Sequence, residues 1–509
     1  MIAEMITKDV AASGKITVYC LFWAQVLKNK DAIAIECDGN SWSYQALSEQ
    51  VRKLASVFAS FGVVRGERVA ILSENRPEYV VAEMACAMTG AILACQNWRL
   101  VGDELKYCIG LVEPKVILTS SRFVRTLTGL GLDDFPVLNL DDTYQDLLIA
   151  APLADPCQDV DPEDGLVILY TSGTTGLPKG ALISHRVEIA RMAVLRLDCM
   201  ITEHDASVAW SPLFHMASTD QTFSALMSGA CVVVIDGLKA DQIVGAAERH
   251  SLGWLVMLPG SIAPLIEFLR ATKPKLKHIA CVGAMADLVP RQEIAELTSL
   301  LNAPYLNSFG ATETGLPPAS AALIPPVKTD YSLSKRPSSL CKIKLVDEAR
   351  NEVVDGEPGE LAISGPTVFS GYWNVPETNA IDFIGGWFHM GDLFLRNPDG
   401  TIDFLDRAKY MIKSGGENIY PAEIERVLLA DKRIADAVVI KKPDDKWGEV
   451  PVVFIARVDE SLTDDDVEAL CRENLAGYKR PKEVHFVALN DFPRSITGKI
   501  QRHEMEAWL

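Results

Sequence analysis

Up to Gly283, short apolar runs rich in Val, Ile and Leu (RVAILS, LVILY, CVVVID, WLVML and HIACVG) alternate with stretches whose apolar residues recur at helical spacing. A run without polar alternation suits a strand buried on both faces, and the intervening helices supply the cover. The pattern therefore predicts an α/β architecture with parallel sheets. One helix is legible in detail. Leu47, Val51, Leu54, Ala55 and Phe58 line one face, and Gly62 and Gly66 mark the turn into RVAILS. Before it, AIAIEC and SWSY flank Asp38, Gly39 and Asn40, which reads as a hairpin. The longest uncharged apolar stretch, MACAMTGAILAC, is shorter than the ~20 residues needed to cross a bilayer. It contains Thr89 and Gly90 and reads as a buried helix passing into a strand.

With 509 residues, the chain exceeds what one core usually supports. From about residue 340 the texture changes to short strands, KIKLVD, GELAISG and GTIDFLD, separated by Gly, Pro and Asp, as in a compact β unit. After DRAKYMIKSGGENIYP a third texture follows: helix AEIERVLL, strands AVVI and VVFIARV, helix DDDVEALCREN and strand EVHFV. These form a separate α+β domain of common size. There is no tandem repeat or low-complexity tract, so the connection between domains is expected to be short.

A net charge of -19, from 49 basic and 68 acidic residues, argues against a nucleic-acid partner, whose phosphates need a basic footprint. A local cluster of cations could still hold a phosphorylated small molecule. The 11 cysteines are scattered without a CxxC pair, which points to a reducing cytoplasm. The start, MIAEMITKDVAASG, carries Glu4, Lys8 and Asp9 where a signal peptide needs an unbroken apolar core.

The run TSGTTGLPKG, directly after LVILY, is compatible by itself with a plain surface turn. Its density of donors favours an anion nest. Thr171, Ser172, Thr174 and Thr175 offer hydroxyls, Gly173 and Gly176 let backbone N–H groups converge, and Lys179 adds a mobile charge. The Walker A pattern fails. Pro178 precedes Lys179 where that motif needs glycine, and Gly180 follows where it needs a hydroxyl. The loop suits nucleotide phosphate in some other manner.

Taken together, several ordered motifs resemble the adenylate-forming superfamily, which contains acyl-CoA synthetases, firefly luciferase and the adenylation domains of peptide synthetases. TSGTTGLPKG is similar to its phosphate loop, SPLFHMAS to the segment bordering the acyl pocket, and NSFGATETG to the adenine and magnesium segment. WFHMGDL resembles the ribose segment, DRAKYMIKSGGENIYP the hinge, and PRSITGKIQR the loop of the catalytic lysine. The resemblance covers nearly the whole chain. It implies a large N-terminal domain of two α/β subdomains plus a small β-barrel over residues 1–405, a hinge at 406–410 with Lys409 at its pivot, and a mobile α+β C-terminal domain over 411–509. It also implies domain alternation between an adenylating pose and a thioester-forming pose.

The implied reaction is the AMP-forming ligation of a hydrophobic carboxylic acid (fatty, aromatic or steroid-like) to coenzyme A, using ATP and Mg²⁺. A carboxylate is inert toward thiols until it becomes a mixed anhydride, and two anions must meet to make one, so cations and donors should dominate the site. By resemblance, Lys499 is the catalytic cation, Glu313 holds Mg²⁺, and Thr312 touches the α-phosphate. ATP is gripped by Thr171, Ser172, Gly173, Thr174, Thr175, Gly176 and Lys179. Gly283, Ala284, Asn307, Ser308, Phe309 and Gly310 also bind ATP, with Phe309 as a flat face for adenine; Asp392 accepts from the ribose hydroxyls, and Arg407 reaches the ribose or phosphate.

His215 stands where acyl- and aryl-CoA ligases carry a pocket histidine, whereas amino-acid activating domains usually place an aspartate nearby. His215, Met216, Ala217, Gly283, Ala284, Gly310, Gly315 and Leu316 are the implied acyl-pocket residues. For CoA, Gly415 and Gly416 would let pantetheine pass close to the backbone. Trp447, Tyr478 and Arg480 resemble the CoA set of bacterial aryl-CoA ligases, and Arg99 is placed on a CoA phosphate. The chain departs from family patterns at three positions: Met390 replaces the threonine of TGD, Tyr410 an aspartate after the hinge, and Leu340 the glycine that closes an RPxxG turn.

Two other readings compete. One is an adenylating enzyme with a non-CoA acceptor such as a carrier protein, which would lack the Trp447, Tyr478 and Arg480 set. The other is a nucleotide-binding interaction protein without turnover, which the loss of Lys499 or Glu313 would have favoured. The expected partners are the small acid, ATP and CoA, with no stable membrane span and a homodimer left open.

Overall fold

The computed structural model describes residues 12–100, 102–132, 134–171, 177–258, 260–415, 417–458, 460–494 and 500–509. The chain divides into two compact units, residues 1–342 with 363–388, and residues 343–362 with 389–509.

Two large sheets organise the first unit. The six-stranded sheet runs in the order Val137–Asn139, Val116–Thr119, Arg68–Leu72, Ile92–Cys95, Gly165–Thr171 and Lys179–Ser184. Its pairings are parallel until the last, which is antiparallel. The eight-stranded sheet runs Leu323–Ile324, Tyr305–Leu306, Ile279–Val282, Ser251–Leu255, Asp205–Ala209, Val232–Val234, Ile33–Cys37 and Asn40–Ser43. It is parallel inside and antiparallel at both ends. The expected parallel sheets thus carry antiparallel strands at their edges. The chain turns straight back into Asn40–Ser43 and into Lys179–Ser184, whereas Leu323–Ile324 reaches its edge only after Phe309–Ala311 and Gly315–Ala319, and the interior strands need crossovers.

The apolar runs behave as their composition requires. Every residue of Ile92–Cys95 and Val116–Thr119 is buried, and helix Pro77–Thr89 packs against the first of these strands. Leu47, Val51, Leu54, Ala55 and Phe58 all face inward from Tyr44–Ser60, whose first turn is capped by Ser43 Oγ accepting from Ala46 N–H. The expected hairpin pairs Cys37 with Asn40. MACAMTGAILAC divides as anticipated, helix Pro77–Thr89 ending at Gly90 before strand Ile92–Cys95.

In the second unit lies most of a five-stranded sheet, ordered Lys342–Val346, Pro358–Ser364, Trp387–Arg396 and Phe383–Ile384, with Ile402–Arg407 also paired to Trp387–Arg396. The division between units runs through these strands. A separate five-stranded sheet follows, ordered Glu417–Ile419, Ile412–Ser414, Gly448–Arg457 and Ile434–Asp444, with Glu483–Val487 paired to Gly448–Arg457. Helices Pro421–Leu428 and Asp464–Asn474 pack apolar residues such as Ile424, Leu428, Val467 and Cys471 into one core with Val439, Val453 and Ile455. A capping box of Thr463 and Asp466 opens the second helix. Among the described residues, no helix is long and apolar enough to cross a membrane.

Candidate active site

The glycine-rich run joins two antiparallel strands. Thr171 ends Gly165–Thr171 directly opposite Lys179, which begins Lys179–Ser184. Ser172, Gly173, Thr174, Thr175 and Gly176 lie outside the described residues. A P-loop leads from strand into helix, so this hairpin confirms in topology what the failed Walker A match indicated. Pro178 and Gly180 had obscured the strand in the sequence.

Lys179 is half-buried, and its Nζ lies 3.9 Å from the ring centroid of Tyr372 and 3.9 Å from Asp382 Oδ2. Tyr372 in turn donates its hydroxyl proton to Glu313 Oε1 at 2.7 Å. Backbone pairing places the tyrosine. Ser370 N–H donates to Leu182 O, Leu182 N–H to Gly371 O and Trp373 N–H to Gly180 O, so residues 370–373 run along the strand that carries Lys179.

Glu313 sits in the turn between Phe309–Ala311 and Gly315–Ala319, an antiparallel pair. Thr314 N–H donates to Ala311 O at 3.0 Å, and Ala311 N–H to Thr314 Oγ1 at 3.1 Å, closing the turn. Phe369 N–H donates to Glu313 O at 2.8 Å. Underneath, Arg191 Nη2 donates to Thr312 O at 2.8 Å, and Arg191 Nη1 meets both carboxylate oxygens of Asp220 at 3.1 and 3.2 Å. Burial pushes the Asp220 carboxyl above its ordinary range, while the Arg191 charge opposes this. Burial, followed by the Asp220 charge, pushes neighbouring Glu188 well above the usual carboxylate range.

The segment expected to border the acid is held by one buried amide. Asn75 Nδ2 donates to Ala209 O, Ser211 O and Ile235 O, and Asn75 Oδ1 accepts from Leu213 N–H at 2.8 Å. Asn75 follows a strand of the six-stranded sheet, and the carbonyls lie at or just beyond the ends of Asp205–Ala209 and Val232–Val234 in the eight-stranded one. His215 caps helix Met216–Ser228, and its ring packs 4.5 Å from that of Phe214. Ala217, Ala284 and Leu316 share one apolar cluster with Leu195, Trp254, Val256, Leu306 and Met285. Met216 is half-buried.

Gly283 has φ +83°, and a Cβ there would lie 2.1 Å from the ring of Tyr305, so only glycine fits. Tyr305 Oη donates to Ala284 O and Trp254 Nε1 to Gly283 O, which fixes this corner. The segment expected to meet adenine faces inward. Asn307 is buried, its Nδ2 donating to Leu333 O and Ser334 O and its Oδ1 accepting from buried Lys335 at 2.8 Å. Ser308 Oγ accepts from Met285 N–H, Phe309 is buried, and Gly310 is half-buried in the strand between Phe309 and Ala311.

In the second unit, Asp392 and Arg407 stand opposite each other on paired strands, with Arg407 Nε 2.8 Å from Asp392 Oδ1. Asp392 is buried and Arg407 exposed. Lys409 is exposed within the short turn Ala408–Tyr410, its Nζ 4.8 Å from the Tyr410 ring centroid. Tyr410, one of the departures, also receives the Arg502 guanidinium at 4.8 Å. Arg502 Nη2 donates to Glu425 Oε2 at 2.7 Å. Arg494 and Ile500 form an antiparallel bridge, which brackets the loop of Lys499. Lys499 and Gly416 lie outside the described residues.

Of the CoA candidates, Gly415 and Trp447 come together, Gly415 N–H donating to Trp447 O at 2.7 Å. Tyr478 is exposed, and Arg480 donates to Leu475 O and Arg472 O. Arg99, in the first unit, lies 5.1 Å over the Trp98 ring.

Sequence reasoning passed over Asn75, Arg191, Asp220, Tyr372 and Asp382. Two left a faint trace. HRVEIARMAVLR places Glu188 and Arg191 on the inward face of an otherwise apolar pattern, and SGYWN interrupts a strand-rich region with paired aromatics. The half-buried Glu313, one oxygen bonded to a phenol, fits Mg²⁺, which takes one or two carboxylates together with phosphate oxygens.

The AMP-binding enzyme family model matches residues 22–373, and the AMP-binding enzyme C-terminal domain matches residues 423–499. The chain is 32% identical over 486 residues to indoleacetate–CoA ligase of Aromatoleum aromaticum, covering 93% of this chain and 94% of that one. It is 31% identical over 487 residues to feruloyl-CoA synthase of Amycolatopsis, covering 93% and 95%. Its fold superimposes on O-succinylbenzoate coenzyme A synthetase from Bacillus subtilis in complex with ATP and magnesium ion, with a TM-score of 0.83 at 25% identity, covering 96% and 99%.

Proposed function

This chain belongs to the AMP-binding enzyme family, and we propose that the acid it activates is an aromatic carboxylic acid of the arylacetic, cinnamic or acylbenzoic kind. The enzyme is an AMP-forming carboxylate–CoA ligase that uses ATP, Mg²⁺ and CoA. In the first step a carboxylate oxygen bonds to the α-phosphorus as the bond to pyrophosphate breaks. In the second, the CoA sulfur bonds to the acyl carbon and AMP leaves.

Within that reaction, Lys179 is assigned to the β- and γ-phosphates, Thr312 to the α-phosphate, Asp392 and Arg407 to the ribose, and Glu313 to Mg²⁺. Bound Mg²⁺ supplies neutralisation of the triphosphate charge. Lys499 is assigned to the charge that develops as carboxylate and phosphate meet. Residues 1–405 are taken as the adenylation domain, 406–410 as the hinge and 411–509 as the lid domain. The scattered spacing of the 11 cysteines supports a reducing cytoplasm.

The observation that carries the choice of acid is the apolar cluster of Ala217, Trp254, Ala284, Met285 and Leu316, in which Ala217 stands two residues after His215. Relatives whose acids are indoleacetate and ferulate support it. The test is AMP and pyrophosphate release, with CoA present, across phenylacetate, indoleacetate, ferulate, 2-succinylbenzoate and octanoate. At least one aryl acid should exceed octanoate by about tenfold or more in kcat/KM. A preference for octanoate overturns the aromatic assignment.

A further inference from the structure

We propose that Arg191 is a positioning residue for adenylation, holding the Thr312–Glu313 peptide in place with Asp220 as its anchor. The guanidinium is almost wholly enclosed, with side-chain exposure of 2%, against 6% for its partner Asp220. Its donors go to three places. Nη1 goes to Asp220, Nη2 to Thr312 O at 2.8 Å, and Nε to Thr367 O at 3.4 Å. Thr312 O belongs to the peptide that leads into Glu313, and Thr367 lies two residues before Phe369, whose N–H holds Glu313 O. One fork therefore fixes both sides of the turn that presents the Glu313 carboxylate.

The turn closes over this side chain. A Cβ at Gly315, where φ is +75°, would lie 2.8 Å from Arg191 Nε. Glu188, one helical turn before Arg191, is buried, and burial pushes its carboxyl well above the usual carboxylate range, while Asp220 is the acid that the Arg191 fork meets directly. A buried ion pair adds little net stability compared with apolar residues of similar size. What the apolar substitute lacks is the directed donation to two carbonyls. Rigid support of this kind matters because a displacement of about 1 Å at a reacting group costs on the order of 10²-fold in rate.

The inference rests on the assignment of Glu313 to Mg²⁺. Its test compares Arg191→Lys, the double variant Arg191→Met with Asp220→Leu, and Glu313→Gln, measuring each half reaction and the Mg²⁺ dependence of the first. The double variant removes both charges together, so the thermal midpoint should stay near that of the parent. Its adenylation should fall on the order of 10²-fold with a higher Mg²⁺ requirement, while a supplied acyl adenylate is still converted to thioester. Arg191→Lys, which keeps the charge but loses the fork, should recover only part of the loss. A folded double variant with parental adenylation and Mg²⁺ dependence overturns the inference. If Glu313→Gln itself leaves both unchanged, the assignment of Glu313 fails instead.

Discussion

Tyr372 donates its phenolic proton to Glu313 Oε1 at 2.7 Å while its ring carries the Lys179 ammonium 3.9 Å from its centroid. One side chain thus spaces the cation assigned to the phosphates from the carboxylate assigned to Mg²⁺. Tyr372→Phe removes only the hydroxyl and keeps the cation–π face. A hydrogen bond to a charged group is worth about 1.5–3 kcal/mol, so adenylation should slow by roughly tenfold or more, with a raised Mg²⁺ requirement. Tyr372→Ala should also weaken ATP binding, seen as a higher KM for ATP. Unchanged Mg²⁺ dependence in Tyr372→Phe would remove the bridging role.

Lys499→Ala should nearly abolish formation of the acyl adenylate while leaving conversion of a supplied acyl adenylate to the thioester largely intact. Rapid-quench measurement of each half reaction separates these. Equal loss in both contradicts the assignment of this lysine to the first transition state.

His185 is fully buried, and its Nδ1 accepts from Val18 N–H at 3.3 Å, joining two helix starts. Burial lowers its pKa from 6.5 to about 4. A histidine depressed in the folded state binds more protons when unfolded. Its share of stability is therefore intact above pH 6.5 and is lost as pH falls toward 4. His185→Gln should flatten the decline of the first urea unfolding midpoint between pH 7 and pH 5, and an unaltered slope would show that other groups govern acid sensitivity.

Leu340 adopts φ +57° at the position where related turns carry glycine. A left-handed leucine is strained, though glycine costs some unfolded-state entropy. Leu340→Gly should stabilise the protein by about 0.5–1 kcal/mol, visible as a raised thermal midpoint. A lower midpoint would mean that the 44% exposed side chain contributes more than the backbone strain costs.

Much of the fold was legible because burial on both faces of a sheet leaves a mark on every residue of a strand. RVAILS, LVILY and HIACVG became strands Arg68–Leu72, Gly165–Thr171 and Ile279–Val282. Strand Lys179–Ser184 was missed because it opens between Pro178 and Gly180, where local chemistry reads as a turn. Its pairing with Gly165–Thr171 is what makes it a strand.

The site divides along the same line. TSGTTGLPKG, FGATETG and MGDL are each contiguous in the sequence, so the reaction class could be read from sequence alone, and membership of the family agrees with it. Arg191 meets a carboxylate 29 positions away and a carbonyl 121 positions away, and Tyr372 meets Glu313 across 59. Such pairs leave no local periodicity, because each partner is chosen by where the sheets and helices bring it. Sequence by itself determined the buried strands and the reaction class. Only the tertiary structure decided which buried charges and hydroxyls hold Glu313 and Lys179 in position, since directional contacts between distant segments exist only once the chain has packed.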